Sequence, residues 1–232
     1  MAHKPVIAII RWLVIIAIPF LLATAVARIV IAWDNPSYPE WSYARIEPDR
    51  YGFTPDERLA LADATLAYLR RPEPAGEAIY LLEALRMPGT AEPLYNEREI
   101  SHMLDVKIVA DAFTRVMWAL AAVAAGGLAF LLARAELRPL AGRTLLQGGL
   151  LTLLIVVGVM LFLAVGWEVA FTLFHDLFFP PGTWTFAYSD SLIRLFPERF
   201  WFEFGLLWTG AILAAAVIFA VVGYALQRAW RR

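Results

Sequence analysis

A chain of 232 residues that is 60% hydrophobic, with a formal net charge of −1, carries more apolar side chain than a soluble fold of this size can cover with polar surface. The apolar residues fall in long blocks with basic residues clustered beside them, which indicates a polytopic membrane protein and argues against nucleic-acid binding. There is no cysteine, so a thiol nucleophile, a thiolate metal site, a disulfide and a lipidated cysteine of its own are excluded.

A membrane crossing needs roughly 20 mostly apolar residues. Four segments qualify: Trp12 to Trp33, Ile108 to Ala133, Leu145 to Phe174 and Phe200 to Gln227. The expected fold class is an all-α integral membrane protein with four transmembrane helices, a small and mainly helical extracytoplasmic cap, and both termini cytoplasmic. Lys4 and Arg11, then Arg134, Arg138 and Arg143, then Arg228, Arg231 and Arg232 flank the crossings, and the positive-inside rule puts all three groups in the cytoplasm. The division along the chain is residues 1–33 for the first crossing, 34–107 for the cap and the His102 segment, 108–133, a cytoplasmic loop 134–144, 145–174, an outer loop 175–199 with His175, 200–227, and a tail 228–232.

The first apolar block has the basic start and small residues of a secretory signal, but it is longer than a signal core of about 7–15 residues and ends on Trp33 as an interface anchor. It reads as a retained span. In the outer loop, Thr54-Pro55-Asp56-Glu57 is a capping box opening an amphipathic helix to about Arg71, which Pro72-Glu73-Pro74 ends. A second short helix is expected from Ala75 through Met87, before Pro88-Gly89. The next run begins near Asn96 and meets no Pro or Gly before Gly126, so it enters the second span as one helix, with His102 one or two turns above the apolar boundary.

Glu99, His102 and Asp105 are spaced i, i+3, i+6 and share a face of that helix. A solvated acidic face is one reading. A metal site is another, since Glu-x-x-His builds carboxylate di-metal centres, but those need a second such unit and facing carboxylates. His175-Asp176 supplies no matching repeat, and the expectation is no metal and no cofactor. In the third span Glu168 lies two helical turns before His175, and a carboxylate inside an apolar helix is a functional candidate. It could equally satisfy Arg28 or an indole N–H. Beyond His175 runs an aromatic, proline-rich turn with Phe178, Phe179, Trp184 and Phe186, suited to the wall of a lipid-binding groove, after which Ser189 or Asp190 can cap a short helix through Phe196.

The run Asn96 to Lys107, the run Phe174-His175-Asp176-Leu177-Phe178-Phe179, and the positions Trp184, Phe186, Asp190, Leu192-Ile193 and Phe196-Pro197-Glu198-Arg199-Phe200 resemble the bacterial lipoprotein intramolecular transacylase family, Lit. The resemblance extends over the four-span layout and is strongest in the two histidine motifs; Asn35 to Ala91 adds little. It implies an enzyme, an acyltransferase of the bacterial cytoplasmic membrane working on the extracytoplasmic face. Its partner is a diacylated lipoprotein in the outer leaflet of the phospholipid bilayer, whose sn-2 acyl chain moves from the S-linked glyceryl group to the α-amine of the N-terminal cysteine, giving the lyso-form.

Such a reaction needs a base, because an α-amine with a reference pKa of about 7.7–8.0 is largely protonated near neutrality. It also needs a donor for the oxyanion. Two histidines can divide these tasks. His102 is assigned as base and His175 as donor, with the reverse assignment and a transient acyl-imidazole as open alternatives. Glu99, Asp105 and Asp176 are candidates to orient an imidazole, and Glu168 is a supporting candidate. A membrane hydrolase using the same histidines, or a non-catalytic assembly or transport subunit, are the competing functions.

Overall fold

The computed structural model describes residues 3–33 and 37–230. Asp34 and Asn35, at the start of the expected outer loop, and Arg231 and Arg232, in the expected tail, lie outside the described residues. In chain order the helices are α1 (His3–Ala32), α2 (Tyr38–Tyr43), α3 (Pro55–Arg70), α4 (Ala75–Ala78), α5 (Tyr80–Glu83), α6 (Glu97–Leu132), α7 (Arg138–Val165), α8 (Trp167–Phe178), α9 (Ser191–Leu195) and α10 (Glu198–Ala229), with a 3-10 turn at Ala135–Leu137. Among the described residues four helical stretches are long and apolar enough to cross a membrane, Lys4–Ala32, Glu97–Leu132, Ala135–Val165 and Glu198–Ala229.

The chain divides into two compact units. One draws on the N-terminal stretch through Arg28, on Phe113–Ala164 and on the stretch from Leu206 onward; the other on Ile29–Ala112 and Val165–Gly205. In the first unit, small residues let helix backbones approach, as packing without a hydrophobic drive between helices requires. A Cβ on Gly149 of α7 would lie 2.6 Å from the Ala220 amide nitrogen and 2.9 Å from the Ala216 carbonyl of α10, so only glycine permits this approach. The Trp208 indole N–H donates to the Ala23 carbonyl at 2.8 Å and ties α10 to α1.

The second unit holds the short helices. Thr54 caps α3 as its sequence dictates: its hydroxyl accepts from the Glu57 amide, and the Glu57 carboxylate accepts from the Thr54 amide at 2.8 Å. The α3 face bearing Ala62, Thr65, Leu66 and Tyr68 is buried. Tyr68 donates to the Met103 carbonyl at 3.3 Å, and Lys107, fully buried on α6, donates to the Arg71 carbonyl at 2.8 Å and to Asp111 at 3.2 Å. These bonds fasten the C-terminal end of α3 to the first turns of α6.

Two expectations change here. The helix expected from Ala75 through Met87 is two single turns, α4 and α5. Past Glu83 the chain instead bridges back on itself around Pro88-Gly89, with the Met87 amide on the Glu92 carbonyl (2.9 Å) and the Leu94 amide on the Leu85 carbonyl (3.0 Å). Pro88 disfavours helix at Met87, and Gly89 adopts φ 73°. The stretch Leu145 to Phe174 is not one helix either. It breaks at Gly166, and α8 begins afresh at Trp167, whose ring packs edge-on against Phe202 at 5.4 Å. Glu168 therefore sits in the first turn of α8 as an exposed residue.

A buried ion pair closes the unit. Arg194 of α9, 7% exposed, donates to both oxygens of Asp49 at 3.2 and 2.9 Å, while Arg58 of α3 donates to the Arg194 carbonyl at 2.9 Å. Burial acts to raise the Asp49 carboxyl, but the Arg194 bonds and charge and the Phe53 and Tyr51 amides outweigh it and hold the group below its usual 3.8. Because the folded-state value is depressed, the stabilisation is present above 3.8 and is lost as pH falls through the lower folded value. Arg194→Met should lower stability by about 3–5 kcal/mol at pH 7, by stranding a buried carboxylate. Thermal unfolding in detergent at pH 7 and pH 3 checks this: the gap between wild type and variant narrows at the lower pH.

Candidate active site

Asn96 and Glu99 build the start of α6 by reciprocal capping. The Asn96 side-chain carbonyl accepts from the Arg98 and Glu99 amides, each at 3.0 Å, and a Glu99 carboxylate oxygen accepts from the Asn96 amide at 2.8 Å. The other Glu99 oxygen accepts from the Leu192 amide at 2.6 Å, in the first turn of α9. Glu99 is only 1% exposed. One buried carboxylate thus receives a backbone N–H from each of two helix N-termini, where the helix dipoles favour negative charge. The expected capper of α9, Asp190, occupies the N-cap position but turns its side chain to the Ala187 amide at 2.9 Å.

His102 follows Glu99 by one helical turn and is 6% exposed. Its ring lies 6.3 Å, centroid to centroid, from that of His175 on α8, with 25° between the planes. The two histidines of the sequence motifs are therefore neighbours. Phe179 packs edge-on against His102 at 4.9 Å and tilts against His175 at 5.5 Å. Phe186 lies 5.4 Å from His102, and Trp184 lies 4.8 Å from His175. Phe178 packs on Phe174 at 5.0 Å.

The polar atoms of the pair differ. His175 Nδ1 is 2.8 Å from the Phe171 carbonyl oxygen, one turn earlier in α8. A carbonyl can only accept, so the neutral ring carries its proton on Nδ1 and presents the bare Nε2. Burial lowers the His175 pKa below the usual 6.5, against the opposing effects of the Phe171 bond and the nearby Asp176 charge, which keeps this ring neutral near pH 7. His102 Nδ1 is buried without a hydrogen-bond partner among the described residues, and so is the Trp184 indole nitrogen next to His175. Buried polar atoms without partners are uncommon and point to a polar group that the site receives.

None of the three carboxylates expected to orient an imidazole hydrogen-bonds to either ring among the described residues. Glu99 serves backbone amides, Asp176 is exposed and reaches His175 only by its charge, and Asp105 is half-buried on α6 with no hydrogen bond to either ring among the described residues. Glu168 is on the helix of His175, exposed and seven residues away. Two contributors were not anticipated. Phe171 supplies both the orienting carbonyl and a ring 4.1 Å from His175, and Arg98 donates to the Thr185 carbonyl at 2.5 Å with its guanidinium 5.6 Å from the Phe186 ring. The spacing Asn-x-x-Glu at 96–99 is itself a capping pattern and could have identified the part played by Glu99.

Glu99→Ala leaves the buried Leu192 amide without an acceptor and frees the part-buried Asn96 amide to water, and should cost about 1–3 kcal/mol, while Glu99→Gln keeps an acceptor oxygen and loses less. Thermal unfolding of the detergent-solubilised variants measures the difference. Unchanged stability in Glu99→Ala would show that the two helix ends do not depend on this carboxylate.

The chain matches the family described as "Lipoprotein intramolecular transacylase Lit" over residues 11–201. A protein of Aquifex aeolicus (strain VF5), described as uncharacterized, is 30% identical over 199 residues, spanning 84% of each chain. The in meso structure of the membrane integral lipoprotein intramolecular transacylase Lit from Bacillus cereus has a TM-score of 0.81 at 24% identity, covering 100% of this chain and 99% of that one. A form of the Bacillus cereus protein with a histidine-to-arginine mutation has a TM-score of 0.75 at 25% identity, covering 99% and 95%.

Proposed function

The chain belongs to the lipoprotein intramolecular transacylase Lit family, as a multi-pass membrane acyltransferase, and on that premise we propose that its two stacked histidines move an acyl chain within one lipoprotein molecule. The substrate is a diacylated lipoprotein in the outer leaflet. The sn-2 acyl group of its S-diacylglyceryl moiety passes to the α-amine of the N-terminal cysteine, and the lyso-form results. The observation that carries this reading is the imidazole pair, 6.3 Å apart, with Nδ1 of His175 on the Phe171 carbonyl at 2.8 Å.

The neutral amine attacks the sn-2 ester carbon, and the carbonyl oxygen becomes an oxyanion. His175 Nε2 takes the proton that the amine sheds. It returns that proton to the sn-2 glyceryl oxygen as the ester bond breaks and the amide bond completes. Atoms and charge balance with no co-reactant, so the lipoprotein mass is unchanged. His102, whose buried ring nitrogen has no partner among the described residues, is the donor that steadies the oxyanion. This reverses the division of labour expected from sequence, because a ring whose Nδ1 faces a carbonyl has its lone pair on Nε2 and suits the base.

Phe179, Phe186 and Trp184 line the histidines with apolar surface, which excludes water and strengthens the electrostatics of the transfer. Exclusion of water also separates transfer from hydrolysis. Exposed Val169, Leu173 and Leu177 recur at four-residue intervals along α8 and suit contact with acyl chains. With Lys4, Arg138 and Arg228 cytoplasmic, both histidine segments and the short helices between Tyr38 and Glu83 face the extracytoplasmic side, and both termini the cytoplasm.

The test is mass spectrometry of a reporter lipoprotein's N-terminal peptide, from cells unable to N-acylate lipoproteins, expressing the wild type, His102→Ala or His175→Ala. The expected result is unchanged total mass with one chain moved from glyceryl to amine, and a loss of product of roughly 100-fold or more in either variant. Loss of one acyl mass would make the protein a hydrolase. No chain movement with well-expressed wild type would overturn the reading.

A further inference from the structure

A second polar feature lies in the other unit, on residues the acyl-transfer reading does not use. Ala8, Arg11, Trp12 and Ile15 of α1 and Arg143 and Gln147 of α7 line a cavity of about 180 Å³. Two guanidinium-bearing residues share it, and no carboxylate is among its lining residues. Arg11 is fixed in place: its Nε donates to the Thr144 hydroxyl at 3.1 Å and its Nη2 to the Gln147 side-chain oxygen at 2.8 Å. Thr144, fully buried, passes its own proton to the Leu140 carbonyl at 2.7 Å and so receives Arg11 with a lone pair. A guanidinium has five N–H donors. These bonds occupy two of them and leave three.

Depth fits an interfacial site. Arg11 stands eight residues beyond His3, about 12 Å along α1 at 1.5 Å per residue. The 29-residue apolar stretch is longer than the hydrocarbon core of about 30 Å demands, so its first turns extend into the headgroup layer, with Arg11 at the boundary. Trp12, 61% exposed beside it, is a residue type that sits at that level. Two like charges against a low-dielectric wall repel each other, and a preorganised guanidinium fork matches the geometry of a phosphate.

We propose that Arg11, Arg143, Gln147 and Trp12 form a phosphate-binding site between α1 and α7 that takes the phosphodiester of an anionic lipid headgroup. Arg11 supplies directed hydrogen bonds, Arg143 the second positive charge, and Trp12 the flank against which the glycerol backbone of the lipid rests. A headgroup carrying its own ammonium partly cancels this attraction, so the site selects net-negative phospholipid over zwitterionic. Occupancy holds α1 to α7 at the end of the bundle where both arginines sit.

The full-length protein in mixed-lipid nanodiscs is released into mild detergent, and retained lipid is quantified by native mass spectrometry with phosphatidylglycerol and phosphatidylethanolamine as the two probes. Wild type should retain phosphatidylglycerol at least tenfold over phosphatidylethanolamine. Arg143→Gln should bring that preference below threefold, and Arg11→Lys, which keeps the charge but loses the fork, should fall between. Circular dichroism confirms that each variant is folded; Arg143 is exposed and its replacement leaves the helix contacts alone. A parallel arm adds inorganic phosphate at millimolar concentration. Its failure to displace the lipid supports the headgroup assignment, and displacement at equal molar ratio would make this a free-phosphate site instead. Equal retention of both lipids, or an unchanged preference in Arg143→Gln, would overturn the proposal.

Discussion

A single buried carboxylate organises the histidine pair. Glu99 accepts one backbone N–H from the start of α6 and another from the start of α9, so it fixes where both helices begin. His102 is three residues further along α6, and its position follows from that anchor. The segment between His175 and α9 must bring Phe179, Trp184 and Phe186 back against the rings within the residues available before Leu192. The second helix end that Glu99 holds is the point to which this segment returns. Burial raises the Glu99 pKa above its usual value against the opposing Leu192 and Asn96 amides, and a side chain that accepts from both helix starts sets their register.

The surroundings make two chemically identical side chains unequal. His175 is turned by a carbonyl of its own helix, and His102 is wrapped by phenyl rings with no partner for its buried nitrogen among the described residues. The proposed acyl transfer asks for this inequality, because in it one ring gains a proton while the other donates a hydrogen bond to developing negative charge. The aromatic wall buries both rings, and burial lowers the pKa of each below the usual 6.5. The local helix, and not a distant carboxylate, sets the tautomer of His175.

Much of this was legible in the sequence where one interaction dominates. Four apolar stretches, the Thr54 capping box and the termination of α3 before Pro72 follow from local rules that tertiary packing had no reason to override. The histidines could be paired because both motifs bracket the same two spans. The break at Gly166 was hidden by hydropathy, since Trp167 to Phe174 is apolar enough to continue the span, and what ends the helix is a glycine together with the packing of Trp167 on Phe202. The Glu99 bond to Leu192 joins residues 93 positions apart and leaves no local trace, so its carboxylate read as part of an acidic helix face. Asp190 likewise sits where a capping residue belongs, yet the amide it would have served is taken by Glu99, and its side chain closes the preceding turn instead.

The most direct test of the unequal histidine pair is the protonation pattern of the two rings. A long-range proton–nitrogen correlation spectrum of the protein, labelled with nitrogen-15 in its histidines and assigned through His102→Asn and His175→Asn, reports which ring nitrogen carries hydrogen. The prediction for His175 at pH 7 is a neutral ring with hydrogen on Nδ1 and a bare Nε2, persisting below pH 6.5 as its lowered pKa requires. Hydrogen on Nε2 at neutral pH, or a charged ring, would contradict its assignment as the base.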